Sequence, residues 1–225
     1  MTQGGMEWSY AGLTGPEHWA SLVPEYAPCG QGVRQSPVDI SGYERANAPA
    51  LSFSYDGEVS GAALVRGSVV VEFGPGSGLT LEGRRYELQS AHAHAPAEHR
   101  VDGEGFAAEL HLVHEDASGE ALVVGVLYRP GPPSPVLQAM LDAAAGDAAA
   151  FRSGAASFTP GSAAFYSYTG SKTTPPCHEP VEWVVMRDAE TVSPEQVDVL
   201  QSFSGGPNNR PLQPLRGRRI VLVEG

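Results

Sequence analysis

The stretch Ser90-Ala91-His92-Ala93-His94-Ala95-Pro96-Ala97-Glu98-His99 carries three of the chain's seven histidines, with a carboxylate just before the last. A second cluster follows as Glu109-Leu110-His111-Leu112-Val113-His114. Three neutral imidazoles with one open position make a catalytic zinc site rather than a closed structural one. Residues two apart on a strand point to the same face. Ser90, His92 and His94 therefore share one face, and Ala91, Ala93 and Ala95 the other. In the second run Glu109, His111 and Val113 share a face. If the two runs are neighbouring strands, His92, His94 and His111 converge beside Glu109, which can orient a ligand imidazole through its second nitrogen. The competing reading makes them polar residues on a half-exposed sheet. Imidazole also suits cobalt, copper and iron, so spacing leaves the ion open.

Positioning such a cluster takes strands, and the composition supplies them. The 225 residues include 27 glycines and 19 prolines, well above the usual combined share of about 12 %. That favours a turn-rich, strand-rich fold over a helical bundle. Strands are expected at Leu51–Tyr55, Val69–Phe73, Arg85–Ser90, Glu109–His114, Ala121–Tyr128, Val181–Met186 and Arg219–Val223. The patches Gly74–Gly78 and Arg129–Pro133 read as loops. Ser134-Pro135 opens a helix running to Gly146, and the alanines at 143–150 predict fraying there. Ser193-Pro194-Glu195-Gln196 is a capping box for a second helix, with Val197, Leu200 and Phe203 as its apolar stripe.

The net charge of −12 sets nucleic acid and anionic membranes aside as partners. No stretch reaches the roughly 18 apolar residues that span a membrane. The opening MTQGGMEWSY lacks the charged start and apolar run of a signal peptide, so the protein either stays inside or has lost a leader. Cys29 and Cys177 are either unrelated buried thiols or one long-range disulfide, which implies an oxidising compartment. Only one of the 14 basic residues is a lysine, Lys172.

Seven segments occur in a fixed order: Gly15-Pro16-Glu17-His18-Trp19, Gln35-Ser36-Pro37-Val38-Asp39-Ile40, His92-x-His94, Glu98-His99, Val101-Asp102, Glu109–His114 and Gly170-Ser171-x-Thr173-Thr174-Pro175-Pro176-Cys177, with Asn209-Arg210-Pro211 near the C-terminus. Together they resemble the α-class carbonic anhydrases from about Trp8 to the end. The resemblance implies a mainly β (α+β) single domain over 1–225. Its centre is a large twisted, mostly antiparallel sheet with a few short peripheral helices and zinc at the base of a conical pocket. It maps His92, His94 and His111 onto the zinc ligands and Glu109 onto the acid that orients His111. Thr173 matches the threonine that accepts a hydrogen bond from zinc-bound hydroxide and donates one to Glu98. Thr174 matches a substrate-contacting neighbour, and Val113, Val123 and Trp183 the apolar wall where carbon dioxide rests. Cys29 and Cys177 match a disulfide of secreted and bacterial members, so a secreted or periplasmic enzyme, monomeric or homodimeric, is expected.

The activity so implied is that of a zinc lyase, the reversible hydration of carbon dioxide to bicarbonate and a proton by zinc-bound hydroxide. Two alternatives are a zinc esterase or other hydrolase using the same hydroxide, and a zinc-binding module without turnover. The chain departs from the family pattern in four places. Ser90 stands where the family has Gln and reaches His92 only through a water. Ala91 and Ala93 replace larger residues, which predicts looser packing behind the metal. No histidine lies at Arg66-Gly67-Ser68, the place of the usual proton shuttle, and His178 is the candidate substitute. Lys172 replaces an apolar residue beside Thr173. It either acts on the zinc site as a charge or snorkels out of the pocket mouth.

Overall fold

The computed structural model describes residues 8–47, 51–147, 151 and 154–224. In chain order its strands are β1 (Asp39–Ile40), β2 (Glu44–Asn47), β3 (Leu51–Tyr55), β4 (Val59–Val65), β5 (Ser68–Phe73), β6 (Ser77–Leu81) and β7 (Arg84–His94). They continue as β8 (Arg100–Val101), β9 (Ala108–Glu115), β10 (Ala121–Pro130), β11 (Phe165–Gly170), β12 (Val181–Met186), β13 (Glu190–Val192) and β14 (Val221–Glu224). The helices are α1 (Trp19–Leu22), α2 (Pro28–Gln31), α3 (Pro135–Ala144) and α4 (Pro194–Ser204).

Twelve strands form one sheet, in the order β2-β14-β11-β12-β10-β9-β7-β5-β4, with β6 joining β7 to β3 and β13 beside β10. Most pairs are antiparallel; β10–β12, β10–β13 and β14–β2 are parallel. The run ALVVGVLY in β10 is buried almost throughout because both faces of the sheet are covered there. Alternation along it divides two cores: Leu122, Val124 and Val126 enter one, Val123 and Leu127 the other. The second core includes Trp183 and lies on the face that carries the histidines.

The two long helices form where their caps predict. Ser134 accepts a hydrogen bond from Leu137 N, and Ser193 and Gln196 complete the capping box. Gln196 also binds both backbone groups of Ser134, tying the two helix starts together. The first helix stops at Ala144, and part of the alanine run expected to fray lies outside the described residues.

Several strands differ from expectation. β4 reads VSGAALV and is mostly exposed at the sheet edge, so it lacks the apolar alternation that marks a strand. β6 starts at Ser77, inside the Gly74–Gly78 patch, and β10 runs on through Pro130. β14 starts at Val221 rather than Arg219. Cys29 and Cys177 are joined in a disulfide that packs beside Trp19. Among the described residues no helix is long and apolar enough to cross a membrane.

Candidate metal centre

β7 and β9 pair antiparallel with His92 opposite His111, His94 opposite Glu109 and Ser90 opposite Val113. The face depends on an irregularity the sequence does not announce. Upstream, Tyr86 and Leu88 are the buried positions of β7; downstream the buried phase moves to Ala91 and Ala93. The register shifts between Leu88 and Ser90, a bulge that flips the strand by one residue. Leu88 thereby enters the core, while His92 and His94 face the site. Ala91 and Ala93 are covered by the same core as Leu110 and Leu112.

The three rings converge, with centroids 5.0 Å apart for His92 and His94, 5.2 Å for His92 and His111, and 4.7 Å for His94 and His111. One ligand nitrogen from each lies within 4.8 Å of the others. Burial lowers the pKa of all three and keeps the imidazoles neutral, the form that binds a metal. At His92 the neighbouring imidazoles and the Lys172 ammonium push the same way.

Neighbouring groups account for the outward-facing nitrogens of His94 and His111. His94 Nδ1 donates to the Asn208 carbonyl at 2.7 Å, leaving Nε2 to face the cluster. That Nε2 is buried and has no hydrogen-bond partner among the described residues. A buried polar atom without a partner is costly, and an ion at the centre of the three rings removes that cost. His111 Nε2 lies 2.9 Å from Glu109 Oε1, which turns Nδ1 toward the cluster. His92 has no hydrogen-bonded orienting group among the described residues. Ser90 stands on the same face and lines the pocket without reaching it.

Glu109 anchors a wider network. Its Oε2 accepts from the Glu98 and His99 amides at 2.9 and 2.8 Å, and its Oε1 from His99 Nδ1 at 2.7 Å. Burial opposes its charge, yet His99, His111 and these hydrogen bonds hold its pKa well below the usual carboxylate range. His99 Nε2 meets the Tyr168 hydroxyl at 2.7 Å, which in turn meets Ser36 Oγ at 2.8 Å. His99, Glu109 and His111 are also close enough to be metal ligands. Hydrogen bonds already satisfy His99 and Glu109, and His111 Nε2 rests 2.9 Å from Glu109, so the three form a positioning chain.

Gly125 makes room for this chain. It pairs with His111, and a Cβ there would sit 2.8 Å from Glu109 Oε1. A lone glycine inside an apolar strand signals such a close approach, and the sequence reading passed over it.

Glu98 is buried against the same cluster, its Oε2 3.6 Å from His94 Nε2 and 4.0 Å from His111 Nδ1. Burial pushes its carboxyl up to about 7, against the pull of His111, the Thr173 hydroxyl and the Arg210 amide. Arg210 N donates to Glu98 Oε1 at 2.8 Å, and its guanidinium binds the Ser36 and Cys29 carbonyls. Asn208 also locks the end of β7, through Ala95 N and Ala93 O. The reading of the sequence quoted Arg210 only as part of a motif and missed Asn208; nothing local marks either one.

The cluster opens into a cavity of about 260 Å³. Val70, Val113, Val123 and Trp183 give its apolar wall, and His92, His111 and Ser90 its polar end. Lys172, Thr173 and Thr174 line it from the segment between β11 and β12. That segment is held by Trp183 Nε1 donating to Ser171 O, by Lys172 N donating to His178 O, and by the disulfide at Cys177. His178 is exposed and is not among the residues lining the cavity.

Residues 14–224 match the model of a family described as eukaryotic-type carbonic anhydrase. A carbonic anhydrase of Pectobacterium carotovorum is 33 % identical over 221 residues, covering 96 % of this chain and 91 % of that protein. A hyperthermostable carbonic anhydrase from an active hydrothermal vent chimney superposes with a TM-score of 0.89 at 36 % identity, covering 97 % of this chain and all of that one. The α-carbonic anhydrase of Thermovibrio ammonificans, solved with the inhibitor sulfanilamide, gives a TM-score of 0.86 at 33 % identity, with coverage of 97 % and 100 %.

Proposed function

The chain belongs to the eukaryotic-type (α-class) carbonic anhydrase family, and we propose that it hydrates carbon dioxide reversibly to bicarbonate and a proton, using zinc held by His92, His94 and His111. The observation that carries this reading is the convergence of three neutral imidazoles, His94 and His111 buried and His92 half-buried, with the unpartnered Nε2 of His94 aimed at the other two. Zinc bound there supplies a Lewis acid that ionises a water near neutral pH.

The chain's own groups do the rest. Asn208 and Glu109 fix which nitrogen His94 and His111 present. Glu98, held by the Arg210 amide, takes the hydrogen bond of the Thr173 hydroxyl. Thr173 then has only lone pairs to offer the nucleophilic oxygen, which sets that oxygen's orientation. Carbon dioxide is apolar, so Val113, Val123 and Trp183 hold it by contact, with Thr174 beside it. Ser90 leaves His92 less firmly oriented than its two partners. His178 is the proton relay of this reading, exposed on the segment that carries Thr173.

The disulfide supports an oxidising compartment, so we place the protein outside the cytoplasm, secreted or periplasmic. The reading takes 1–225 as one domain, monomeric or homodimeric, with a small-molecule substrate and neither nucleic acid nor membrane as partner. Stopped-flow hydration of carbon dioxide by the zinc-loaded protein tests it, with His94→Ala as control. Rapid hydration that the substitution abolishes is expected; equal rates in the two proteins would overturn it. Turnover of an activated ester in preference to carbon dioxide would instead indicate the hydrolase.

A further inference from the structure

Lys172 is the lysine expected either to act on the zinc site as a charge or to snorkel out of the pocket mouth. In the structure it both lines the cavity and is exposed, as expected of an aliphatic stem laid along a wall with its charged head at the mouth. Its backbone is fixed on both sides. Lys172 N donates to His178 O at 2.9 Å, and Lys172 O accepts from Ser171 Oγ at 2.8 Å.

Its electrostatic setting is distinctive. The other residues lining the cavity are apolar, hydroxyl-bearing or imidazole side chains, and none is a carboxylate. Among the described residues no carboxylate forms an ion pair with Lys172. Elsewhere the molecule carries 26 acidic residues and a net charge of −12, a field that repels small anions. The cavity mouth therefore holds one unpaired cation in an otherwise anion-repelling surface.

Resting on the carbonic anhydrase reading, we propose that Lys172 is a specificity-determining residue that holds small anions at the cavity mouth, bicarbonate first among them. It acts on the bound anion and is not part of bond making. Forward and reverse kcat/KM are tied by the overall equilibrium, so the residue cannot favour one direction. It lowers the KM for bicarbonate and slows bicarbonate's departure, and it makes the enzyme more sensitive to inhibitory anions. A solvent-exposed charge several ångströms away, acting through a water-like dielectric, is expected to change anion affinity by about three- to tenfold, less as salt screens it.

The test is equilibrium titration of the cobalt(II)-loaded full chain with thiocyanate, read by visible absorption, for the parent, Lys172→Arg, Lys172→Met and Lys172→Glu. Expected dissociation constants are parent-like for Arg, about three- to tenfold higher for Met and higher still for Glu, converging as ionic strength rises. The KM for bicarbonate should follow the same order. Equal dissociation constants in all four proteins would overturn the proposal while leaving the carbonic anhydrase reading intact, provided the parent hydrates carbon dioxide. A charge-ordered series in a protein without hydration activity would keep the anion site and sink the enzyme reading.

Discussion

His92 and Thr173 line one cavity, yet different forces place them. His92 rides on β7, paired with β5 on one side and β9 on the other. Thr173 sits in a segment without ladder bonds, fixed by a disulfide, by Trp183 Nε1 and by the Lys172–His178 backbone contact. The half proposed to bind the metal is thus built into the sheet, whereas the half proposed to orient the nucleophile is tied down from outside it. It follows that the two halves can be loosened separately.

The largest effect should come from cutting the outside tie. The Cys29–Cys177 bond closes a span of 148 residues, and for a loop of that length the chain-entropy model gives about 5 kcal/mol of stability. The Cys29→Ser/Cys177→Ser double variant should lose stability on that scale in denaturant titration. Its turnover should fall, since a displacement of about 1 Å in a positioning group can cost roughly 100-fold. Zinc affinity should hardly change. A parallel loss of zinc would show that the two halves are coupled.

The opposite break is Gly125→Ala. The added Cβ would press on Glu109 Oε1 and disturb the group that orients His111. Loss of such a partner typically costs about 10- to 100-fold in metal affinity, measured by competition with a chelator. Here affinity falls first, with the Thr173 segment intact. Parent-like affinity would mean that Glu109 yields without consequence.

His114 offers a smaller, pH-dependent test of the sheet itself. Its Nδ1 donates to Leu112 O and its Nε2 accepts from the Tyr55 hydroxyl at 2.7 Å. Burial pushes its pKa down from 6.5 to about 3. The neutral form is the folded form, so its contribution is intact above pH 6.5 and is lost as pH falls toward 3. Between pH 6.5 and pH 5 the parent should lose about 2 kcal/mol on account of this residue. His114→Gln should lack that part of the decline. Identical pH profiles would rule the effect out.

The smallest expected effect belongs to His178→Ala, which should reduce turnover only in weak buffer and recover with added imidazole. Unchanged turnover without buffer would remove His178 from the proton path.

This contrast also explains what could be read in advance. Alternating side chains on two runs, joined to motif order, disclosed His92, His94, His111 and Glu109, because strand periodicity is local information. The helix starts at Ser134 and Ser193 were legible for the same reason. The bulge between Leu88 and Ser90 was not, since it shows only against the register of β9. Asn208 and Arg210 act on residues more than a hundred positions away, and no local pattern marks them. β4 and β6 escaped because an exposed edge strand and a glycine-rich start both look like loop. β11, reading FYSYTG, did alternate and was passed over.

The most direct test of the central claim is a zinc-edge anomalous diffraction map of crystals of the zinc-loaded protein. The account predicts one strong peak about 2.0–2.1 Å from His94 Nε2, His111 Nδ1 and a nitrogen of His92. A peak among His99, Glu109 and His111 instead, or none inside the sheet, would contradict it.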